Sequence, residues 1–310
     1  MTKKTSIGGQ ALIEGVMMRG PGKCALAVRL PSGEIDVEQW DNPAATGRWW
    51  RKTPFVRGAF NMVDAMKLGY TCLMKSAEKS GALDEEEPSR LEKWLAAKLG
   101  ERFSSVVSGF SVFVGVLLAV GLFVVLPLFL AGVVAGIAGV TLSPLTRSLL
   151  EGLIRISVFV AYLALVSRIK DIRRVFEYHG AEHKTIACYE AGQELTVENV
   201  RPCSRFHPRC GTSFLLIVLV ISIITFSIIR VEDVLLRAVL RTALLPVVVG
   251  VAYEIIKLAG RYDNIFTRAV SAPGLWLQRL TSNEPDDSQI ETAIAAMLPA
   301  IPAEVGADAW

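Results

Sequence analysis

The chain has 310 residues, of which 52% are hydrophobic and 20% charged, and its formal net charge is +3. A mean hydropathy of +0.41 excludes the pair of ordinary soluble domains that the length alone would allow. So small a net charge, with no basic patch interleaved with aromatics, excludes a nucleic-acid partner. Five cysteines, an odd number without paired spacing, suit a reducing compartment better than a disulfide framework.

The N-terminal stretch "MTKKTSIGGQALIEGVMMRG" has no continuous apolar region of the signal-peptide kind, because Glu14 and Arg19 interrupt it, so the segment is expected to stay inside the cell. Its core, "GGQALIEGVMMRGP", has two readings. Either it is a glycine-containing turn around a buried apolar core, or its glycines admit close approach to another surface, with Glu14 and Arg19 pairing to a loop further along. It matches neither phosphate-binding glycine pattern. "KCALAVRLPSGEIDVEQW" alternates weakly around a Pro-Ser-Gly-Glu turn and predicts a β-hairpin. "FVRGAFNMVDAMKLGYTCLMKSAEKSG" carries apolar residues at helical spacing with lysines between them, which predicts an amphipathic helix on the inner membrane surface. "DEEEPSRLEKWLAAKLGERF" predicts a helix that leads into the first membrane span.

From Ser104 to Thr146 no residue is charged, and shorter apolar runs follow at 148–167, 213–229 and 234–258. A span needs about 20 apolar residues, so these runs predict an integral membrane protein. As one helix the first run would be about 65 Å long, twice what a bilayer needs. The expected layout is one span at 106–131, an apolar external or re-entrant segment to 147, and a return span at 148–167; the alternative is a tight hairpin of two spans within the run, but three crossings would then put the basic loop outside. Residues 1–105 hold 16 Lys and Arg and residues 168–212 hold eight. The positive-inside rule puts both segments in the cytoplasm, which requires an even number of crossings between them. Two further spans, joined by "RVED", return the chain inside and give four spans with both termini cytoplasmic. Among the ionisable residues in or near the spans, Glu151 and Arg155 are expected to pair locally and Arg237 and Lys257 to snorkel. Glu254 is kept as a candidate functional carboxylate. "SNEPDDSQIETAIAAM" predicts a short amphipathic helix after an acidic N-terminus, and "PAIPAEVGADAW" is expected to be disordered.

All three histidines of the chain, His179, His183 and His207, lie within the segment 168–212, together with Cys188, Cys203 and Cys210. In "HGAEH", His179 and His183 are four apart, so on a helix both imidazoles leave one face at a spacing that suits a single metal ion. Glu182 sits between them in the order H-x-x-E-H, that of the inverted zinc-peptidase motif, where the Glu is a general base. "PCSRFHPRCG" adds Cys203, His207 and Cys210 as further donors, while Cys188 reads as a small buried hydrophobe. Four protein ligands, such as His179, His183, Cys203 and Cys210, would make a structural site. Three ligands with an open position would make a catalytic one.

"GGQALIEGVMMRGP", "YHGAEHKTIACYEAG" with "RPCSRFHPRCGTSF", and "YEIIKLAGR" through "PGLWLQRLTSNEPDD" together resemble the YqhQ-like family of bacterial membrane proteins, a domain of unknown function, over nearly the whole chain. The resemblance implies an integral membrane protein labelled a predicted metal-dependent enzyme. That label attaches to His179, Glu182 and His183, with His207 and Cys210 as additions. The combined expectation is a mainly α, polytopic inner-membrane protein with five segments. These are a cytoplasmic α/β segment (1–105), a first transmembrane pair (106–167), a cytoplasmic His/Cys loop (168–212), a second pair (213–258) and a cytoplasmic tail (259–310). Its partners would be the lipid bilayer and either a membrane protein or a second copy of itself. Its cofactor would be a divalent transition metal, zinc by donor type. Two functions fit: a metal-dependent hydrolase at the membrane surface, or a scaffold or assembly factor built around a structural metal or a His/Cys core.

Overall fold

The computed structural model describes residues 4–43, 53–82, 103–139, 142–228, 234–262, 264–304 and 306–309, with single positions at 49, 98, 100 and 231. The expected helix at 84–103 and the "RVED" turn lie largely outside the described residues, as does the Arg237 side chain. The chain divides into two compact units, residues 1–82 with 163–222 and 231–310, and residues 83–162 with 223–230.

The first unit opens with four strands, β1 (Gly8–Leu12), β2 (Gly15–Arg19), β3 (Lys23–Arg29) and β4 (Ile35–Asp41). They form one antiparallel meander in the order of the sequence. The expected hairpin is β3–β4, with Arg29 opposite Ile35. The stretch "GGQALIEGVMMRG" forms a second hairpin, β1–β2, in which Leu12 pairs with Gly15. The alternation in β2 and β3 is weak because both faces of these strands are covered. Val16, Met18 and Ala27 point into one apolar cluster, while Met17, Leu26 and Val28 point into another.

The first cluster is closed by α5 (Lys170–Glu190) and α10 (Asp287–Ala300). Asp286 caps α10 in a capping box with Gln289, as the acidic start of that segment foreshadows. Its alanines let it pack closely, and a Cβ on Gly20 would lie 2.0 Å from the Ala300 carbonyl oxygen. The second cluster is closed by α1 (Val56–Lys79), through Cys72 with Leu68 and Leu73. This is the expected amphipathic helix, and its N-terminal turn is docked on α8 (Val234–Arg261). Phe55 precedes α1 at φ 64°, a strained conformation for a bulky residue. Glu254 fixes it by accepting the Phe55 N–H at 3.1 Å and two bonds from Arg57 at 2.7 and 2.5 Å. Glu254, the candidate functional carboxylate, therefore clamps the start of α1.

The C-terminal "PAIPAEVGADAW" is not disordered at its described positions. The Asp308 carboxylate is fully buried and accepts from the Thr5 hydroxyl at 2.7 Å and the Tyr189 hydroxyl at 2.9 Å. The Asp308 carbonyl takes the Ser6 N–H, and Thr5 bridges to Ala309. The segment is thus held by buried hydrogen bonds, which composition does not register.

Four helices among the described residues are long and apolar enough to cross a bilayer: Gly109–Ala138, Leu145–Val166, Gly211–Ile228 and Val239–Arg261. This agrees with the expected number. In the second unit α2 (Phe103–Val120) continues through a π turn (Gly121–Val125) into α3 (Leu126–Ala138). The residues after 131, expected to be external or re-entrant, are helical as far as Ala138. Outward-facing Phe110, Phe113, Leu118, Phe129 and Ile137 are all strongly exposed, as in a helix built to face lipid. Pro127 lacks an N–H and would have bonded the Phe123 carbonyl. Arg155, on α4 (Pro144–Val166), donates to that carbonyl at 2.8 Å instead. Buried Glu151 takes Arg147 at 3.2 Å. Glu151 thus has Arg147 as one partner and Arg155 the Phe123 carbonyl, because the π turn and proline expose a carbonyl that draws the guanidinium.

Replacing Asp308 by Ala would leave the Thr5 and Tyr189 hydroxyls without this acceptor. The expected cost is about 2 kcal/mol, seen as a lower unfolding midpoint of the purified protein in detergent. An unchanged midpoint would show that the closure between the two ends adds nothing to the fold.

Candidate functional site

His179 and His183 lie on α5, one turn apart, with ring centroids 4.2 Å apart. Beyond the short α6 (Val197–Val200), Cys210 comes to them from the residue before α7 (Gly211–Ile228). One donor atom from each of the three lies within 4.8 Å of the other two, and His179 Nε2 is 3.2 Å from Cys210 Sγ.

Both imidazoles are oriented by backbone. His179 Nδ1 lies 2.6 Å from the Thr281 carbonyl, at the end of α9 (Ile265–Thr281), and His183 Nδ1 lies 2.6 Å from the Arg205 carbonyl. A carbonyl only accepts, so both Nδ1 atoms carry the proton and the Nε2 atoms are left as donors for an ion. The first contact depends on Gly180. A Cβ there would stand 1.9 Å from the Asn283 carbonyl oxygen, so only glycine lets the segment after α9 lie against α5 and bring Thr281 over His179.

Glu182 is buried on the same helix against β1. A Cβ on Gly9 would come within 2.8 Å of its carboxyl carbon. One carboxylate oxygen, Oε2, is buried with no hydrogen-bond partner among the described residues. Burial pushes the Glu182 carboxyl up, against the pull of His179 and His183 and a bond from the Gly9 N–H. Burial also acts against charge on His179 and Cys210, but their mutual attraction prevails. His179 is raised to about 9, and the Cys210 thiol falls well below its ordinary value. Cys210 also stands at the N-terminus of α7, where its carbonyl takes the Phe214 N–H and the helix dipole favours a thiolate. Without an ion the site thus reads as an imidazolium–thiolate pair beside a buried carboxyl.

The family described as "Protein of unknown function (DUF1385)" matches residues 53–303, which include the three donor residues and Glu182. The chain belongs to this family. It is 36% identical over 293 residues to the uncharacterized protein YqhQ of Bacillus subtilis (strain 168), covering 93% of this chain and 89% of that one. No solved structure matches. The strands β1–β4 precede the DUF1385 match, so Gly9, which supports Glu182, lies outside it.

The other predicted donors stand apart from the trio. The His207 ring is 5.5 Å from that of His183, but its Nε2 is 3.0 Å from an Arg209 nitrogen and 3.8 Å from Glu190. Burial pushes the His207 pKa down, although Glu190 opposes it. Cys203 sits away from the trio, its Sγ 3.2 Å from the Asn199 carbonyl and 4.0 Å from Gln193, next to Cys188. Gln278 of α9 was not singled out from the sequence. Its buried amide accepts the His207 N–H at 2.8 Å and donates to the His207 carbonyl at 2.7 Å, so it fixes the loop that carries Cys210. Its place in "PGLWLQRLT", among apolar residues on a helix, was the available signal.

Burial raises the thiols of Cys24, Cys72 and Cys188, the last two to about 11. Metal-stripped protein at neutral pH should therefore show ultraviolet thiolate absorbance that comes from Cys210. Cys210→Ser should abolish it and His179→Gln should reduce it strongly. A signal that survives Cys210→Ser would refute the ion pair.

Proposed function

We propose that this chain is a membrane-embedded, metal-dependent hydrolase, with the metal held by His179, His183 and Cys210 and with Glu182 as general base. The observation that carries the reading is the set of three convergent donors together with a buried Glu182 oxygen that has no hydrogen-bond partner among the described residues. Three protein ligands leave a position open, as in catalytic rather than structural zinc sites. The charges also fit: a thiolate and a carboxylate balance a divalent cation in a buried site. Such an ion, when bound, supplies Lewis acidity toward water or a substrate oxygen. The chain's own part is to orient both imidazoles through backbone carbonyls, to exclude solvent, and to take a proton on Glu182, whose hold on a proton is strengthened by burial. Two histidines and a cysteine also serve copper in electron-transfer centres. A buried ionisable carboxylate on the helix that carries both histidines favours zinc and hydrolysis.

The basic segments at 1–105 and 168–212 support placing the site and both termini in the cytoplasm of a bacterial inner membrane, with spans pairing as 106–167 and 213–258. Reporter fusions near Glu194 and at the C-terminus should then read as cytoplasmic, and one near Thr141 as external. An external reading at Glu194 would end that placement.

A scaffold built on a structural metal or a His/Cys core draws on one observation, the 3.2 Å His179–Cys210 contact, which ties α5 to α7 without an ion. The two readings separate in one experiment. Protein purified without chelators should carry about one zinc per chain, lost when His179 and His183 are both Ala. Glu182→Gln should keep the zinc and yet fail to complement a deletion strain, because loss of a general base costs about 10²- to 10⁴-fold. If Glu182→Gln complements at matched membrane levels while His183→Ala does not, the scaffold stands. If the metal is copper, or if none is found, the hydrolase reading falls.

A further inference from the structure

A cavity of about 700 Å3 lies in the first unit, bounded by β1, β2, α1 and the ends of α7 and α8. Cys210 is part of its wall, so it borders the donor trio, and Gly9 lines it as well. Its volume is that of a site for a molecule of moderate size.

The lining divides by chemistry. Met62, Leu68, Phe214 and Ile256 give it an apolar side, while Arg19, Lys257 and Arg209 are its cations, and apart from the Cys210 sulfur none of the described lining residues is acidic. Arg209 is spent on Glu190. Arg19 is half-buried and makes no ion pair among the described residues. The expectation that Arg19 pairs with the His/Cys loop is not met, whereas Glu14 does pair with α5, taking two bonds from Arg174 and one from the Tyr178 hydroxyl at 3.1 Å. Gly211 and Phe214 open one candidate span and Ile256 and Lys257 close another. The cavity therefore lies at the level where those helices leave hydrocarbon, with its cations beside an apolar wall. A half-buried guanidinium with no carboxylate partner among the described residues, facing a roomy cavity, gains from the arrival of an anion.

We infer that this cavity binds an anionic phospholipid, its phosphate held by Arg19 and Lys257 and the first part of its chains packed on Met62, Leu68, Phe214 and Ile256. That the lipid is also the substrate rests on the hydrolase reading above; the binding itself does not. A planar guanidinium suits a phosphate bidentately, and a lysine at the end of a span suits the headgroup level. The bilayer supplies such a ligand without passage through water.

The test uses the full-length purified chain in detergent, titrated with dihexanoyl phosphatidylglycerol, dihexanoyl phosphatidylcholine or inorganic phosphate and followed calorimetrically. One molecule of phosphatidylglycerol should bind per chain, with the zwitterionic lipid and free phosphate each at least about tenfold weaker, as expected for one desolvated charged contact. Arg19→Gln should weaken phosphatidylglycerol about tenfold or more, and Arg19→Lys should recover most of the loss because the charge returns. If Arg19→Gln does not fold, Lys257→Gln carries the same expectation. The metal-free His183→Ala chain should still bind the lipid, so an absent metal and an absent lipid site give different results. Equal binding of phosphatidylcholine would overturn the anion requirement, and equal binding of free phosphate would overturn the lipid. Unchanged affinity in a folded Arg19→Gln chain, or no saturable binding at all, would remove the site.

Discussion

The approach of the Asn283 carbonyl to the backbone of α5 at Gly180 is the contact on which the site depends. No side chain fits there, since a Cβ would overlap the carbonyl oxygen. Asn283 also donates its N–H to the Phe176 carbonyl at 2.8 Å, which registers the segment after α9 against α5. That register puts the Thr281 carbonyl on His179 and leaves Gln278, one turn earlier, to hold His207. The loop from Cys203 to Cys210 is then fixed from two sides, by Gln278 and by His183 through the Arg205 carbonyl. A helix with two histidines four apart is common. What makes this pair a candidate centre is that distant backbone fixes both tautomers.

The spans were legible because hydrocarbon imposes a composition that no soluble fold matches over 20 residues. The histidine pair and Cys210 were legible because donor chemistry and helical spacing are local properties. The choice of third donor was not. Cys203, His207 and Cys210 all fall within eight residues, and which of them turns toward α5 is decided by Gln278 and by the start of α7, both set by tertiary packing. The strands β2 and β3 gave weak alternation because α10 covers one face and α1 the other, so residues on both faces are apolar. The C-terminal segment reads as disordered, yet buried bonds to Asp308 decide its state, and single polar contacts leave no periodic trace.

The intramembrane charges show how far a residue type alone can mislead. Arg155 and Glu151 stand four apart on one helix, where pairing is the local expectation. Pro127 changes the competition by freeing the Phe123 carbonyl. In a medium without water an unsatisfied carbonyl costs several kcal/mol, more than the few tenths that a helix-surface ion pair returns. The guanidinium therefore satisfies the backbone, and Glu151 takes Arg147. Glu254 likewise holds the strained Phe55 turn and Arg57, a positional use that spacing alone does not reveal.

Cys210 joins these arguments because it ends the loop and begins a span. Its carbonyl bonds the first turn of α7, its sulfur faces His179 and lies 3.3 Å from the Thr212 hydroxyl, and the cavity wall includes it. The helix N-terminus and the imidazole both favour a thiolate there, and the thiol falls well below its ordinary value, which favours ligation. A cysteine elsewhere in the loop would lack the helix dipole, and one deeper in the span would face hydrocarbon that penalises the charge. The boundary between loop and span is thus the one place in this segment where a charged sulfur is stabilised by the fold and also reachable from a cavity at membrane level.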